Sequence, residues 1–120
     1  MLTSFTFVKK QPHLSDDEFF RRWVEHTSRY DLRDHPEISL NRLVMISDGS
    51  GYSGVAENRW PDLESLQAAA AFYETDAGKH HWADLESFMD IANSPTVVVT
   101  AEAEVSAEAG AHVLTAPPRQ

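Results

Sequence analysis

The 120-residue sequence contains no cysteine, which excludes thiol nucleophiles, disulfides, thiolate-bound zinc and iron–sulfur clusters. Basic residues are few: 10 Lys and Arg stand against 19 Asp and Glu, a formal net charge of −9. This balance argues against nucleic acid and anionic membrane surfaces as partners, because both attract basic patches. No apolar run approaches the roughly 18 residues of a membrane span, and residues 1–4 begin no signal peptide. A soluble, cytoplasmic protein is therefore expected.

Hydrophobic periodicity divides the chain into strands and helices in the order β-α-β-β-α-β, with the second helix in two parts. The first helix has the clearest start, because Ser15 followed by Glu18 is typical of a capping box. The expected strands cover residues 2–9, 40–47, 55–60 and 96–105, and the expected helices cover residues 15–30, 61–73 and 80–92, with an interruption at 75–79 around Gly78.

This order predicts an α+β fold, a ferredoxin-like four-stranded antiparallel sheet with helices on one face. Apolar side chains alternate onto both faces of the strands, as Phe7 and Val8 do at the end of the first. The face without helices then needs a cover. A second copy of the chain is the natural cover, so we expect a homodimer that joins two sheets. Residues 1–105 are expected to form one domain and residues 106–120, which lack periodicity, a loose C-terminal tail.

Two histidines are predicted to point into the interior from different helices. At about 100° per residue, His26 shares the apolar stripe of Phe19 and Trp23, and His81 shares that of Leu85. A desolvated imidazole suits proton transfer. The alternative for each is a core histidine held by a hydrogen bond.

Asp84 follows His81 by three residues and is expected to orient that imidazole from the same helix; a plain surface carboxylate is the alternative. His80 is placed nearer the rim, and whether it or His81 is the second functional histidine stays open. No helix carries two histidines at metal-ligand spacing, so no metal site and no cofactor are expected. Haem ligation by one inward histidine remains an alternative, because a single axial ligand suffices.

The remaining candidates are residues that could line a substrate pocket. Asn41 could orient a carbonyl group or could be a solvated strand residue. Glu57 could point into the pocket, into the dimer interface or to a sheet edge. Aromatic side chains are expected to shape an apolar pocket that excludes water; they are Trp23, Tyr30, Trp60, Tyr73 and Trp82.

Several short segments resemble EthD-domain proteins, which are members of the dimeric α+β barrel superfamily. The first is the stretch L-S-D-D-E-F-F-x-x-W-x-x-x-H, which ends at His26; the others are residues 54–57 and residues 84–90. The resemblance covers about residues 2–105. It implies a ferredoxin-like subunit whose sheet packs against its twin, with a ligand cavity between sheet and helices. It also implies an acid/base role for His26 and places Asp84 and Glu57 at matching family positions.

The residues and the resemblance together predict a cofactor-independent acid/base enzyme of the cyclase, dehydratase, decarboxylase or isomerase type. Its expected substrate is a small hydrophobic aromatic or polyketide-like molecule of secondary metabolism or aromatic degradation. His26, His81 and Asp84 are the expected catalytic set. Two alternatives remain: a cofactor-free or haem-dependent monooxygenase of the same fold, and a non-catalytic small-ligand-binding or stress-response barrel.

Overall fold

A computed structural model describes residues 1–116 of the chain. The strands of its main sheet are β1 (Leu2–Val8), β2 (Leu40–Met45), β3 (Gly54–Trp60) and β4 (Thr96–Val98). The helices are α1 (Asp16–His26), α2 (Leu32–Asp34), α3 (Leu63–Phe72) and α4 (Asp76–Glu86), with a π-helical turn (Thr27–Asp31) between α1 and α2 and a 3₁₀ turn (Ile91–Asn93) before β4. The four strands lie in the order β2-β3-β1-β4, and every neighbouring pair is antiparallel. The predicted α+β, ferredoxin-like sheet is therefore confirmed.

The two faces of this sheet have different neighbours. On β1, Val8 belongs to the core beneath the helices and Thr6 lines a cavity on the same side. Phe5 and Phe7 alternate with them and therefore lie on the opposite face. The opposite face also carries Val97 of β4, which pairs with Phe5 and is 45% exposed. One sheet face is thus covered by helices, and the other presents apolar side chains outward.

The core is built where α1 crosses the sheet. Phe19 and Trp23 of α1 are buried, with ring centroids 5.4 Å apart, and Phe88 packs 6.0 Å from Phe19. Gly54 of β3 allows this close approach, because a Cβ atom there would lie 2.6 Å from the Trp23 ring. Ser15 caps α1 as predicted, since the backbone N–H of Glu18 donates to the Ser15 hydroxyl.

The break before the last helix lies earlier than the sequence predicts. Helix α4 begins at Asp76, and Thr75 caps it by accepting a hydrogen bond from the backbone N–H of Gly78. Gly78 is therefore an ordinary helical residue rather than an interruption. Its missing side chain has a packing cause: a Cβ atom there would collide with the backbone carbonyl of Phe72 at the end of α3. The helix also ends sooner than residue 92, at Glu86.

The C-terminal region differs most from expectation. The single strand predicted over residues 96–105 is split into β4 and a new strand, β5 (Glu102–Ser106). Much of the expected tail forms β6 (Gly110–Thr115), which pairs with β5 in a separate two-stranded sheet. Gly110 has a φ of 71° at this turn, a conformation that favours glycine. The expected tail residues 117–120 lie outside the described part of the chain. Within residues 1–116, no helix is both long and apolar enough to cross a membrane.

Candidate active site

His26 and His81 meet under the helix-covered face of the sheet. Their Nε2 atoms are 3.1 Å apart, and both side chains are almost completely buried. His26 is the last residue of α1, and His81 lies in the middle of α4, so the contact joins the two helices. Two ring nitrogens at this distance share one proton, because two lone pairs facing each other would repel.

Each imidazole is held at its other nitrogen by a carboxylate. The Nδ1–H of His26 donates to Asp84 at 2.7 Å, and the Nδ1–H of His81 donates to Asp34 at 2.9 Å. The predicted Asp84–His81 pair is therefore wrong. Residues three apart on α4 lie on the same side of the helix, and the His26 ring sits between them, with Nδ1 facing Asp84 and Nε2 facing His81.

A third carboxylate, Asp31, completes the cluster from the π-helical turn. Its Oδ1 atom lies 3.1 Å from His81 Nε2 and 3.8 Å from His26 Nε2. The hydrogen bond of this turn joins residues five apart, from the Leu32 N–H to the Thr27 carbonyl. Asp31 follows His26 by that number, so the turn brings its side chain over the buried imidazole.

Two opposing effects set the protonation of His81. Burial lowers its pKa, but the hydrogen bonds with Asp31 and Asp34 outweigh burial and raise the pKa above its ordinary value of 6.5. Asp34 stays ionised, because hydrogen bonds from Arg33 at 2.7 and 3.0 Å bring its pKa to about 2. The raised pKa of His81 favours this imidazole as the carrier of the shared proton.

His26 is its neutral counterpart. Burial lowers the pKa of His26 below its ordinary value, although the hydrogen bond to Asp84 acts in the opposite direction. Because the Asp84 carboxylate accepts from Nδ1, the lone pair of the neutral ring is on Nε2. Tyr30 stacks on the ring, with centroids 5.1 Å apart and planes inclined by 21°. The pKa shifts of the two rings have opposite directions, which favours a free lone pair on His26 and a proton on His81.

The two histidines and Asp31 form part of the wall of a cavity of about 250 Å³. The rest of the wall combines apolar side chains with hydroxyl and amide groups. The other lining residues are Thr6, Val8, Trp23, Ala56, Asn58, Tyr73, Trp82, Leu85, Met89, Ile91, Ser94 and Thr96. An adjoining cavity of about 440 Å³ shares Thr6, Asn58, Tyr73 and Thr96 with it. A larger outer groove of about 660 Å³ reaches the site cavity only at Tyr73 and Trp82.

The predicted aromatic residues divide into three groups. Trp23, Tyr73 and Trp82 line the site cavity. Trp60 lies in the adjoining cavity, where it donates to the Ser4 hydroxyl. Tyr30 contacts His26 but is not part of the cavity wall. Tyr73 and Trp82 are in edge contact with centroids 5.2 Å apart, and they separate the inner cavity from the outer groove.

Two strand residues do not reach the cavity. Glu57 lies on the outward face of the sheet, 3.2 Å from Arg59 and 3.8 Å from Arg42. Its placement in the pocket is ruled out by the alternation of β3, which turns Asn58 toward the cavity and Glu57 away. Asn41 is the register partner of Asn58 on β2, one strand farther from the cavity. His80 is exposed, so the structure brings His81 rather than His80 into the site.

The sequence did not identify Asp31, Asp34 and His35 as site residues. His35 is buried, and its Nε2 lies 3.1 Å from the hydroxyl of Tyr73. Burial lowers the pKa of His35 and raises that of Tyr73. The spacing of these residues after His26 could have identified them. If the helix continues past Tyr30, the D-x-x-D-H stretch lies close to His26.

Among solved structures, the chain is similar to proteins of the expected fold. A dimeric protein of unknown function and ferredoxin-like fold from Bacteroides fragilis has a TM-score of 0.56 and 7% identity over 82% of this chain and 93% of that one. An ethyl tert-butyl ether D (EthD) family protein from Bacillus halodurans has a TM-score of 0.52 and 21% identity over 82% of this chain and 97% of that one. SnoaB, a cofactor-independent oxygenase from Streptomyces nogalater, has a TM-score of 0.54 and 17% identity over 84% and 90%.

These likenesses establish the fold. No family model matches the chain, and no curated protein matches it by sequence. An EthD family protein and a dimeric ferredoxin-like protein share the fold over most of the chain, which is the fold that the resemblance to EthD proteins implied. At identities this low, the likenesses show the fold and do not identify the chemistry of the site.

Proposed function

We propose that this chain is a cofactor-independent acid/base enzyme that moves protons on a small aromatic or polyketide-like molecule. The observation that carries the proposal is the 3.1 Å approach of His26 Nε2 to His81 Nε2 at the wall of the cavity. One imidazole is neutral and the other protonated, so the site holds a base and an acid at once. That combination suits enolisation, dehydration, decarboxylation or cyclisation, which are lyase and isomerase reactions.

In the proposed mechanism, the substrate oxygen replaces His26 as the acceptor of the His81 Nε2–H, which frees the Nε2 lone pair of His26 to remove a proton from the substrate. His81 delivers its proton to a carbonyl or hydroxyl oxygen, which neutralises the charge that develops there. Asp84 and Asp34 are positioning residues, because each accepts from an Nδ1–H and so leaves the Nε2 atoms as the sites of proton transfer. Asp31 stabilises the protonated His81 from the cavity side.

The cavity supports the proposed substrate class. Its volume of about 250 Å³ lies just below the roughly 300–1,000 Å³ of ordinary small-molecule sites. That space suits a ligand of about one ring, and the adjoining cavity beside Trp60 could take a second ring or a side chain. The wall contains Trp23, Tyr73 and Trp82, whose flat apolar faces favour aromatic ligands.

The working unit is proposed to be a homodimer. The outward face of the sheet carries Phe5, Phe7, Val44 and Val97, of which Val44 and Val97 are 37% and 45% exposed. A second copy of the same face would bury these side chains, as expected for an isologous interface. The B. fragilis protein of this fold is described as dimeric.

A second candidate function is a cofactor-free monooxygenase, because SnoaB shares the fold and is described as a cofactor-independent oxygenase. The same base would then generate a substrate anion. Oxygen consumption during turnover distinguishes this reaction from acid/base chemistry alone, which consumes none.

Solvent-deuterium exchange tests the proposal even when the natural substrate is not identified. Small aromatic β-dicarbonyl and phenolic compounds are incubated in D₂O with chelator-treated protein, and deuterium incorporation is followed by NMR. We expect exchange into at least one compound, with the rate reduced by at least about 100-fold in H26Q and H81Q and unchanged in the matched control H80Q. Binding of these compounds without any exchange would instead identify a non-catalytic ligand-binding protein.

A further inference from the structure

Three donor atoms in the site lie at the separations that metal ligands adopt. His26 Nε2 and His81 Nε2 are 3.1 Å apart, His81 Nε2 and Asp31 Oδ1 are 3.1 Å apart, and His26 Nε2 and Asp31 Oδ1 are 3.8 Å apart. With bonds of about 2.0–2.2 Å to nitrogen and oxygen, neighbouring ligands of one divalent ion stand roughly 2.9–3.5 Å from each other. Two of the three separations fall in this range, and the third exceeds it by a few tenths of an ångström.

The surroundings of the two imidazoles also match those of metal ligands. Histidines that bind metals usually donate their second ring N–H to a carboxylate, which fixes the ring and makes it a better ligand. Both rings have this arrangement, His26 with Asp84 and His81 with Asp34. Once the shared proton is removed, both Nε2 atoms have a free lone pair, and Asp31 Oδ1 lies within 3.8 Å of each of them.

The three candidate ligands, His26, His81 and Asp31, are called the trio here, and their chemical types indicate the class of ion. Two imidazoles and one carboxylate suit borderline transition metals such as Zn²⁺, Co²⁺ or Fe²⁺, whereas Mg²⁺ and Ca²⁺ prefer sites made of oxygen alone. The sequence reasoning expected no metal site, because it looked for two ligands on one helix. Here the ligands come from α1, the π-helical turn and α4.

We propose that His26, His81 and Asp31 bind one divalent transition-metal ion in place of the shared proton. The ion and the proton compete for the same lone pairs, so the metal-bound form has neither a free base nor a free acid. Occupancy therefore switches off the proton-transfer chemistry. Binding itself is independent of the proposed function, and only its inhibitory effect rests on that function.

The binding experiment uses Zn²⁺ and Co²⁺ as probes on the chelator-treated full chain. We expect calorimetry to give one Zn²⁺ per chain and Co²⁺ to give visible absorption bands typical of a nitrogen- and oxygen-ligated ion. D31N should weaken Zn²⁺ affinity by at least about 10-fold and H81Q by at least about 100-fold, while H80Q, on the next residue of the same helix, should not change it. Circular dichroism checks that each variant is folded. Equal affinity in wild type, D31N and H81Q, or no binding by the wild type, would overturn the metal site.

Deuterium exchange in the presence and absence of Zn²⁺ separates this inference from the proposed function. Exchange that occurs without metal and stops at saturating Zn²⁺ supports both. Zn²⁺ binding at the trio in a protein that shows no exchange without metal supports the site but overturns the metal-free enzyme. If saturating Zn²⁺ leaves the exchange rate unchanged, the proposed inhibition by bound metal is wrong.

Discussion

The Nδ1 atom of His26 lies 2.7 Å from Oδ2 of Asp84, so a carboxylate on α4 fixes the tautomer of an imidazole at the end of α1. The same ring reaches His81 with its other nitrogen. His26 is thus held between two residues three positions apart on one helix. The two contacts of the ring involve different residues, so each can be altered separately.

Replacing Asp84 by Asn should lower kcat for exchange by about 10²–10⁴-fold and change KM little. An amide can donate to Nδ1, so it no longer fixes the proton there and the wrong tautomer of His26 becomes accessible. Steady-state kinetics separates the two constants. The control is E86Q, which neutralises an exposed carboxylate two residues away on the same helix; a matching loss there would show that charge alone is responsible.

The pH dependence of kcat/KM for the metal-free protein should be bell-shaped. The productive form needs a neutral His26, whose pKa is below 6.5, and a protonated His81, whose pKa is above 6.5. Activity therefore falls as pH drops through the pKa of His26 and falls again as pH rises through that of His81. The groups facing the pair are Tyr30, Asp31, Asp34, His35, Tyr73 and Asp84. A rate that rises through pH 6.5 to a plateau would mean that no protonated His81 is required.

Asp34→Asn should move the alkaline limb of the kcat/KM pH profile to lower pH and leave its acid limb unchanged. The substitution removes one of the two carboxylates that raise the pKa of His81, whereas His26 is held by Asp84. Profiles of wild type and D34N measured in the same buffers make the comparison. D17N, which alters an exposed carboxylate in the first turn of α1, provides the control and should leave both limbs unchanged.

Val97→Asp should dissociate the proposed dimer. Val97 is 45% exposed on the outward sheet face beside Phe5, and a carboxylate there would be buried without a partner in an interface between two such faces. Light scattering after size exclusion gives the mass. Val24→Asp is the matched control, since Val24 is 40% exposed but lies on α1. A dimer that persists in V97D would place the interface elsewhere.

Gly78→Ala should destabilise the protein by about 1–3 kcal/mol. Helix propensity alone predicts the opposite sign, a gain of up to about 1 kcal/mol, because alanine favours helix over glycine. The added Cβ atom would collide with the backbone of Phe72, which cannot move aside as a flexible side chain could. Chemical denaturation measures the difference, and a stabilised variant would contradict the close α3–α4 packing.

The sheet and the inward histidines were predictable because they depend on local periodicity. Alternation along β1 and the apolar stripe of α1 identify their faces directly, and His26 falls on that stripe. The partners of the histidines were not predictable in the same way. Asp31 reaches the site through a π-helical turn, and Asp34 pairs with a residue 47 positions away. No periodic pattern reports such tertiary contacts.

Two of the differences between the predicted and observed elements have physical causes that only the packed structure shows. They are the position of Gly78 and the β5–β6 hairpin. Gly78 looks like a helix break, yet the backbone of Phe72 requires a residue without a side chain inside α4. The β5–β6 hairpin is rich in Ala and Glu, which have low strand propensity. Glu102 contacts Thr3 and Arg59, and these contacts attach the start of β5 to the main sheet. Such tertiary contacts cannot be predicted from the sequence pattern of residues 106–115.

The protonation of the His26–His81 pair is tested most directly by NMR of the metal-free protein with ¹⁵N-labelled histidine. Ring nitrogen shifts report which nitrogens carry protons. Near pH 6.5, we expect His26 as a neutral ring protonated at Nδ1 and His81 as a doubly protonated ring, with assignments from H26Q and H81Q. Two rings that titrate together near 6.5, or a neutral His81 beside a protonated His26, would contradict the assignment of base and acid.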